Sequence, residues 1–230
     1  MFHLQEVKKI YTRRGHQVVA LRAPSLEIGA GDYAAIVGPS GSGKTTLLSV
    51  LGGMLSPSAG KMTVDGVSLY DLSVAKRAMF RQERMGFVFQ TFNLVPYLTA
   101  VENVQIPLYL NGIAKAEQHD RAVALLERVG LKDRLDHKPS ELSTGQQQRV
   151  ALARTLANNP AIILADEPTG NLDPDSRRMV LDFFDELHAE GRTIIMVTHD
   201  AVAAERATSW LRLSEGLISH VASPTSARAA

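Results

Sequence analysis

The fold of this chain follows from one short stretch, GPSGSGKT, at residues 38–45. It satisfies the pattern G-x-x-x-x-G-K-[ST], in which glycines let backbone N–H groups surround phosphate oxygens without a Cβ in the way. The lysine of this pattern reaches the β- and γ-phosphates of a nucleotide, and the hydroxyl after it is a ligand for Mg²⁺. The pattern predicts a nucleotide site formed by Gly38, Ser40, Gly41, Ser42, Gly43, Lys44, Thr45 and Thr46, with Thr45 also binding the metal.

The residues on either side of this loop support a phosphate-binding role. The apolar run Tyr33–Val37 predicts a buried strand that leads into the loop, and residues 45–51 predict a helix after it. That helix would add the partial positive charge of its N-terminus to the site. The alternative is a glycine- and serine-rich turn that binds nothing, and the strand and helix around the loop favour the functional interpretation.

Two acidic residues, Asp166 and Glu167, follow a second apolar run at residues 161–165. The run predicts a strand, and ligands of open α/β sheets bind at the carboxyl ends of strands. At that edge Asp166 is suited to bind Mg²⁺, and Glu167 is suited to orient or deprotonate an attacking water. The alternative is a solvated turn before Pro168, which would be the better interpretation if the phosphate loop were missing.

A histidine, His199, follows a third apolar run at residues 193–197 and so also lies at the carboxyl end of a predicted strand. It is a candidate for a hydrogen bond to the γ-phosphate or to the attacking water. A lone histidine is more often structural or solvated. We interpret the other six in that way: His3, His16, His119, His137, His188 and His220.

The order of the elements predicts an α/β protein with a helical insertion. Strand and helix alternate after residue 160, which predicts a mainly parallel sheet with right-handed crossovers. From about residue 99 the apolar period becomes helical, which predicts a helical subdomain. Further strands are predicted at 17–21, 25–28, 62–64 and 86–89, and further helices at 116–129, 146–157 and 176–190.

These patterns divide the chain into three parts. Residues 1–90 and 158–220 form an α/β catalytic core whose N-terminal part is an antiparallel β subdomain, and residues 91–157 form the inserted helical subdomain. Residues 221–230 are predicted to be a flexible tail because they are mostly small and polar.

Composition excludes several kinds of protein. The 230 residues contain no cysteine, which rules out a disulfide framework, a Cys-ligated zinc site and a thiol nucleophile. The formal net charge is +1, so the chain as a whole has no electrostatic reason to coat nucleic acid. No secretory signal begins the sequence, and no apolar run approaches the roughly 18–20 residues that span a bilayer. If the protein works at a membrane, another chain is expected to supply the span.

One further motif carries a family resemblance. Residues 142–149 read LSTGQQQR, and they lie about twenty residues before the Asp-Glu pair. This string resembles the L-S-G-G-Q signature of ABC-type ATPases, and the resemblance extends from about residue 2 to about residue 220. It implies a P-loop NTPase core that binds and hydrolyses ATP with Mg²⁺.

The resemblance also implies roles for single residues. Tyr11 corresponds to the aromatic residue that stacks on adenine, although stacking alone would also accept guanine. Gln90 corresponds to the glutamine that contacts Mg²⁺ and the attacking water, and His199 to the switch histidine. Asp173, in the segment Asn171-Leu172-Asp173, corresponds to a residue that contacts the opposite subunit.

A head-to-tail homodimer is implied as well. One chain would offer its phosphate loop with Asp166 and Glu167, and the other would offer Ser143, Gly145 and Gln146, with two ATP molecules buried between them. The sequence departs from the family at Thr144, where glycine is usual. A β-branched residue there is expected to reduce backbone freedom and to alter efficiency without inactivating the site.

Within the family, residues 89–94 and 166–173 are most similar to a bacterial subgroup of lipoprotein-release, macrolide-export and cell-division ATP-binding subunits. The resemblance implies a peripheral protein on the cytoplasmic face of the inner membrane. Its partner would be an integral membrane permease subunit with an extracytoplasmic domain, held by the helical subdomain. Residues 91–98 would couple the nucleotide to that contact, and the alternative is that they form an ordinary buried loop.

Three functions remain open at this point. The first is an ATPase that powers export or extraction of a lipid, lipoprotein or amphiphile. The second is a non-transporting mechanotransmission complex that regulates cell-wall hydrolysis or division, and it uses the same motifs. The third is a soluble ATPase of DNA repair or translation. Such chains typically carry long coiled-coil insertions, zinc modules or two tandem cassettes, whereas this chain has no sustained heptads, no cysteine and one cassette.

Overall fold

The computed structural model of the chain describes residues 1–13 and 16–221. In that part, ten strands form one mixed sheet in the order β5-β4-β1-β2-β10-β9-β3-β8-β7-β6. The strands are β1 (Phe2–Arg13), β2 (His16–Ile28), β3 (Tyr33–Val37), β4 (Ala59–Val64), β5 (Val67–Ser68), β6 (Met85–Phe89), β7 (Ile162–Asp166), β8 (Thr193–Val197), β9 (Ser209–Ser214) and β10 (Leu217–Val221). The helices are α1 (Lys44–Leu51), α2 (Val74–Arg84), α3 (Ala100–Leu110), α4 (Lys115–Arg128), α5 (Thr144–Leu156), α6 (Pro174–Ala189) and α7 (Ala201–Ala204).

The sheet has a parallel half and an antiparallel half. Strands β9, β3, β8, β7 and β6 pair in parallel. The apolar runs predicted β3, β6, β7 and β8, but β9 was not predicted. Strands β1, β2, β4 and β5 pair antiparallel, and β10 joins the two halves. Each face of the parallel half is covered by a hydrophobic cluster, one with α1 and the other with α3 to α6. The predicted α/β fold with an antiparallel N-terminal region is therefore confirmed.

The prediction of two short strands at residues 17–21 and 25–28 was wrong. They are parts of one continuous strand, β2, and its partner β1 was not predicted as an element. The turn signal was Pro24, which lies opposite an irregular position of β1 where Glu6 has a φ of 51°. Pairing resumes on both sides of that position, so the proline removes one donor without ending the strand.

Two further differences concern a helix and the tail. Helix α2 was not predicted; most of its residues are charged or polar and none is fully buried, although Phe80 packs against the core. Its start is marked by Ser73, whose hydroxyl accepts a hydrogen bond from Lys76 N. The tail was predicted to begin at residue 221, but Val221 ends β10 and pairs with Trp210. The other residues of the predicted tail, 222–230, lie outside the described part of the chain.

Helices α3, α4 and α5 pack on one another, and all three lie within residues 91–157. A capping box formed by Thr99 and Glu102 begins α3. Helix α4 ends just before Gly130, whose φ of 71° is typical of the residue after a helix. No helix in residues 1–13 and 16–221 is long and apolar enough to cross a membrane.

Candidate nucleotide site

The phosphate loop connects β3 to α1 and is held by strands of the other half of the sheet. Gly43 precedes α1 with a φ of 100°, and a Cβ on it would lie 2.2 Å from the carbonyl oxygen of Ala20 in β2. The backbone N–H of Gly216, in the turn between β9 and β10, donates to Ser42 O at 3.0 Å. Neighbouring strands therefore fix the loop in a conformation that only glycine adopts without strain at residue 43.

Lys44 lies over its own loop. Its side chain is buried, and Nζ donates hydrogen bonds to the carbonyl oxygens of Gly38 at 2.8 Å and Pro39 at 3.0 Å. The ammonium group is thus directed into the loop rather than into solvent. Of the other predicted loop residues, Ser40 and Gly41 are exposed, Thr46 is half-buried on α1, and Ser42 is buried.

Asp166 meets the start of α1 at the carboxyl edge of the sheet. It is the last residue of β7, and Thr45 Oγ1 lies 3.5 Å from its Oδ1, at the long limit of a hydrogen bond. Burial raises the pKa of the Asp166 carboxyl, and the neighbouring Glu167 raises it further. The Thr45 hydroxyl and Lys44 oppose this rise in pKa. The structure therefore brings together a hydroxyl, a carboxylate and an ammonium group that the sequence predicted as one site.

Glu167 and His199 form a pair on adjacent strands. His199 Nδ1 lies 2.8 Å from Glu167 Oε1, and the backbone N–H of His199 donates to Oε2 at 3.4 Å. The Glu167 side chain is 15% exposed and that of His199 is 70% exposed, so the carboxylate is mostly buried while the imidazole is accessible to a bound ligand. Glu167 has a φ of 48°, and its N–H donates to Val197 O at 2.9 Å, which holds this unfavourable backbone conformation.

Gln90 lies beside the same edge. It directly follows β6, whose last residue Phe89 pairs with Asp166. Its Nε2 lies 3.5 Å from Asn171 Oδ1, and Asn171 Nδ2 donates to Gln90 O at 3.3 Å. The glutamine is therefore connected to the loop that follows Glu167.

The signature residues begin α5, and Asp173 begins α6. Ser143 and Gln146 form a capping box in which each side chain accepts a hydrogen bond from the other residue's backbone N–H. Asp173 Oδ1 accepts from Asp175 N at 3.1 Å and Ser176 N at 3.0 Å. The Ser176 side chain and these backbone hydrogen bonds lower the pKa of the Asp173 carboxyl. In the described part of the chain, none of these hydrogen bonds reaches the phosphate loop.

Thr144 was expected to alter efficiency because a β-branched residue reduces backbone freedom, but the structure does not support that reason. Thr144 is the first residue of α5, is exposed, and is not among the residues with positive φ. A helical conformation at this position is open to any residue, so glycine is not required for backbone freedom. Gly145 is the position with a steric requirement, because a Cβ there would lie 2.1 Å from Ser176 Oγ.

Tyr11 lies near the end of β1, just past the irregular pairing between Lys9 and Ile10. Ala20, which contacts Gly43 of the phosphate loop, lies opposite this irregularity on β2. The Tyr11 side chain is 43% exposed, and the ammonium of Lys9 lies 5.4 Å from the centre of its ring. An accessible aromatic side chain is therefore available on the strand pair that contacts the loop.

The comparison with known families agrees with this geometry. Residues 21–170, which include the phosphate loop, the signature segment and the Asp-Glu pair, match the family model described as ABC transporter. The chain belongs to the ABC transporter ATP-binding family. The predictions of ATP binding and of ATP hydrolysis coupled to a transporter are thereby confirmed.

Relatives in this family align over almost the whole chain. An uncharacterized ABC transporter ATP-binding protein of Thermotoga maritima is 46% identical over 95% of this chain and 93% of the relative. The macrolide export ATP-binding/permease protein MacB of Syntrophobacter fumaroxidans is 47% identical over 95% of this chain, which spans only 31% of that relative. Among solved structures, the ATP-binding cassette MJ0796, dimeric in a post-hydrolysis state with ADP and Pi, matches with a TM-score of 0.89 at 38% identity, covering 96% of this chain and 98% of MJ0796.

Sequence reasoning missed two polar side chains, the buried Gln148 and the half-buried Arg154, that connect segments of this ABC ATPase. Gln148 Nε2 donates to the carbonyl oxygen of Pro168 at 2.6 Å, and Arg154 donates to the carbonyl oxygens of Phe92 and Asn93. Gln148 could have been found, because it lies at helical spacing from the buried Gly145, Leu152 and Leu156. A glutamine on a buried helix face needs a partner. No comparable signal marks Arg154.

Proposed function

We propose that this chain is the ATP-hydrolysing subunit of a bacterial transporter that exports or extracts a lipid, lipoprotein or amphiphile through a separate membrane subunit. The observation that carries the proposal is the cluster at the carboxyl edge of the sheet, where Lys44 and Thr45 lie beside Asp166 and Glu167 pairs with His199. The named MacB relatives, which join a macrolide-exporting permease to such a cassette, support the export direction.

The residues at this edge fit a magnesium nucleotide. Mg²⁺ prefers oxygen ligands, and the Thr45 hydroxyl, the Asp166 carboxylate and the Gln90 amide offer them. In residues 1–13 and 16–221, no group of three or more His, Asp or Glu side chains could hold a metal ion. Phosphate oxygens of a bound nucleotide would be further oxygen ligands for Mg²⁺ at this edge. When bound, Mg²⁺ neutralises charge on the phosphates that undergo transfer.

Five side chains would bind the nucleotide and activate the attacking water. Lys44 exchanges the carbonyl oxygens of Gly38 and Pro39 for phosphate oxygens. Glu167 orients the attacking water and accepts its proton, and His199, which already contacts the Glu167 carboxylate, binds the γ-phosphate. Gln90 positions the same water from the neighbouring strand, and Tyr11 stacks on the adenine.

We further propose a head-to-tail dimer in which Ser143, Gly145 and Gln146 complete the partner's nucleotide site and Asp173 contacts the partner. Ser143 and Asp173 are exposed in the chain, and none of the four shares a hydrogen bond with the phosphate loop of its own chain. The dimeric cassette MJ0796 supports this arrangement. ATP bound at the interface then stabilises the dimer, and hydrolysis removes that stabilisation.

An apolar groove beside Gln90 supports contact with a membrane subunit. The groove has a volume of about 590 Å³ and lies between β6, α2, α3 and α5. Its apolar lining includes Phe87, Phe89, Val95, Ile106, Pro107 and Leu110. Tyr97, Tyr109 and Leu110 nearby are all more than 60% exposed, and Arg154 binds the backbone of the segment 91–98 at Phe92 and Asn93. A cytoplasmic segment of the permease would cover this surface, which makes the chain a peripheral protein on the cytoplasmic face of the membrane.

The proposal is tested by purifying a Glu167→Gln variant with ATP from detergent-solubilised native membranes, with Lys44→Ala, which is expected to bind ATP more weakly, as the matched control. Co-purification of a polytopic protein with a large extracytoplasmic domain, only with Glu167→Gln, is expected. A cell-wall hydrolase bound to that domain would instead favour the mechanotransmission alternative. If only soluble proteins co-purify with a variant that dimerises on ATP, the membrane assignment is wrong.

A further inference from the structure

Gln148 lies between two segments of the chain that serve different nucleotide sites in the proposed dimer. It follows Gln146 by two residues on α5, and its side chain is fully buried. Its Nε2 donates a 2.6 Å hydrogen bond to the carbonyl oxygen of Pro168, the residue after Glu167. One amide therefore connects the segment offered to the partner's nucleotide with the segment that holds the chain's own hydrolytic carboxylate.

Packing alone does not account for a glutamine at this position. The Oε1 atom of Gln148 is buried without a hydrogen-bond partner in the described part of the chain. An apolar side chain of similar size would avoid that unsatisfied oxygen. The hydrogen bond to Pro168 is therefore the contact that explains a glutamine at this position.

A second contact prevents α5 and α6 from moving independently. A Cβ on Gly145 would lie 2.1 Å from Ser176 Oγ and 2.7 Å from Ser176 Cβ, so the two helices meet at their first turns without free space. Ser176 is in turn held by the Asp173 cap. A displacement of the α5 N-terminus is therefore transmitted to the loop between Glu167 and Asp173.

The carboxylate at the other end of this connection is sensitive to small displacements. Glu167 keeps its positive φ only because neighbouring groups hold it, and such a conformation relaxes when one of its restraints is lost. One restraint is the hydrogen bond from Glu167 N to Val197 O, and another is the anchored carbonyl group of the next residue, Pro168.

From these contacts we propose that Gln148 is a positioning residue: it transmits engagement of the partner's nucleotide by α5 to Glu167, so that each chain hydrolyses its own ATP only when it also holds its partner's. This inference rests on the proposed dimer and names a regulation of the same site. It predicts that loss of the Gln148 donor slows hydrolysis while ATP binding and dimer formation persist.

The test compares Gln148→Met with Gln118→Met. Gln118 is a matched control, because it is also a buried glutamine whose Nε2 donates to a backbone carbonyl at 2.6 Å, that of Ile113, on α4 and away from the site. Gln148→Met is expected to lower kcat about tenfold and to leave the half-saturating ATP concentration within about twofold of the wild-type value, whereas Gln118→Met changes neither. Gln148→Met placed in a Glu167→Gln chain should still dimerise with ATP.

Four results would overturn parts of this account in distinguishable ways. Wild-type turnover in Gln148→Met, or an equal loss of kcat in Gln118→Met, contradicts the positioning role alone. Loss of ATP-driven dimerisation when Gln148→Met is added to Glu167→Gln assigns the residue to the dimer interface, and also contradicts it. If Glu167→Gln by itself stays monomeric at saturating ATP, the proposed function fails and the inference fails with it.

Discussion

The phosphate loop and the start of α5 both place glycines beside a helix N-terminus, but the glycines serve different purposes. In the loop, Gly43 is needed for a backbone φ of 100° and for close approach to Ala20. In α5, Gly145 has ordinary helical geometry and is needed only because Ser176 leaves no room for a Cβ. The loop is therefore a conformation imposed by the surrounding strands, whereas the start of α5 is a stable, self-capped helix end that another molecule can approach.

The acidic residues show the same contrast. Asp166 beside the loop is an acid whose ionised form is disfavoured by burial, and Glu167 has an unfavourable backbone conformation. Asp173 near α5 is an acid whose ionised form is favoured by the hydrogen bonds of a helix cap. Unfavourable local features are thus concentrated where the chemistry is proposed, and the segment proposed to serve the partner's site has few of them.

The largest effect is expected from Gly43→Ala. The new Cβ would lie 2.2 Å from a backbone oxygen at a positive φ, and we expect ATPase activity to fall about 100-fold or more as the loop is displaced. Gly41→Ala is the control, because its φ is 76° but nothing lies within 4 Å of its Cβ, and it should destabilise the fold by only about 1–2 kcal/mol. Steady-state turnover and thermal unfolding measure both. Because Gly41 belongs to the phosphate loop, Gly66→Ala in the turn between β4 and β5 is the second control: its φ is 78° and no described atom lies within 4 Å of a Cβ there. Equal activities in Gly43→Ala and Gly66→Ala would contradict the claim that contact with Ala20 sets the loop conformation.

Gly145→Ala should have the next largest effect, and for a steric reason alone. We expect it to lower the free energy of unfolding by about 1–3 kcal/mol, because Ser176 must move. Ser176→Gly removes both the hydroxyl and the Cβ from the contact, so the double variant should recover at least half of that loss. A double-mutant cycle by chemical denaturation gives the coupling energy, and additive effects would show that the two helices do not depend on this contact.

Asp166→Asn should stabilise the nucleotide-free fold while abolishing hydrolysis. Because the pKa of Asp166 is raised in the folded state, the protein loses stability as the pH rises above the unfolded-state value of 3.8. This loss of stability is present at pH 7. Asn removes that penalty and should raise the midpoint of thermal unfolding at pH 7.

Asp173→Asn is the control of opposite sign. The pKa of Asp173 is lowered in the folded state, so its ionised form stabilises the fold at pH 7. That stabilisation is lost as the pH falls through the folded-state pKa. Asp173→Asn should lower the midpoint slightly. If both variants shift the midpoint in the same direction, the contrast between the two acids is wrong.

The smallest effect is expected from Thr144→Gly, which restores the residue usual in the family. Because residue 144 is an exposed first residue of a helix with no unusual φ, the change should lower helix stability by under about 1 kcal/mol and alter kcat by no more than about threefold. A steady-state ATPase assay measures this directly. An increase of tenfold or more would mean that the threonine side chain obstructs the nucleotide site of the partner.

The sequence predicted four of the five strands of the parallel half and the residues at its edge, because buried strands are continuous apolar runs and the phosphate loop has a strict pattern. Strand β9 was missed because its buried and exposed residues alternate and form no continuous apolar run. Prediction failed in the antiparallel half, where strands β1 and β2 contain charged and proline residues and are recognisable only through their pairing with each other. Helix α2 was missed because six of its eleven residues are charged or polar and none is fully buried.

Contacts between distant segments could not be predicted from local patterns. The pair Glu167–His199, the Thr45–Asp166 contact and the packing of Gly145 on Ser176 each join residues more than 30 positions apart in the chain. The roles of Glu167 and His199 were inferred from strand ends and from family resemblance, but their 2.8 Å contact follows only from the register of β7 against β8.

The central claim is that one chain completes the nucleotide site of another, and light scattering coupled to size-exclusion chromatography of the Glu167→Gln chain tests it most directly. With ATP and Mg²⁺ the account predicts a mass twice that of the 25.0 kDa chain, and with ADP the monomer mass. Ser143→Arg in the same background should prevent the dimer, because it places a bulky charge at the exposed N-cap of α5. A Glu167→Gln chain that remains monomeric at saturating ATP and hydrolyses it at the wild-type rate would contradict both the dimer and the assignment of the hydrolytic carboxylate.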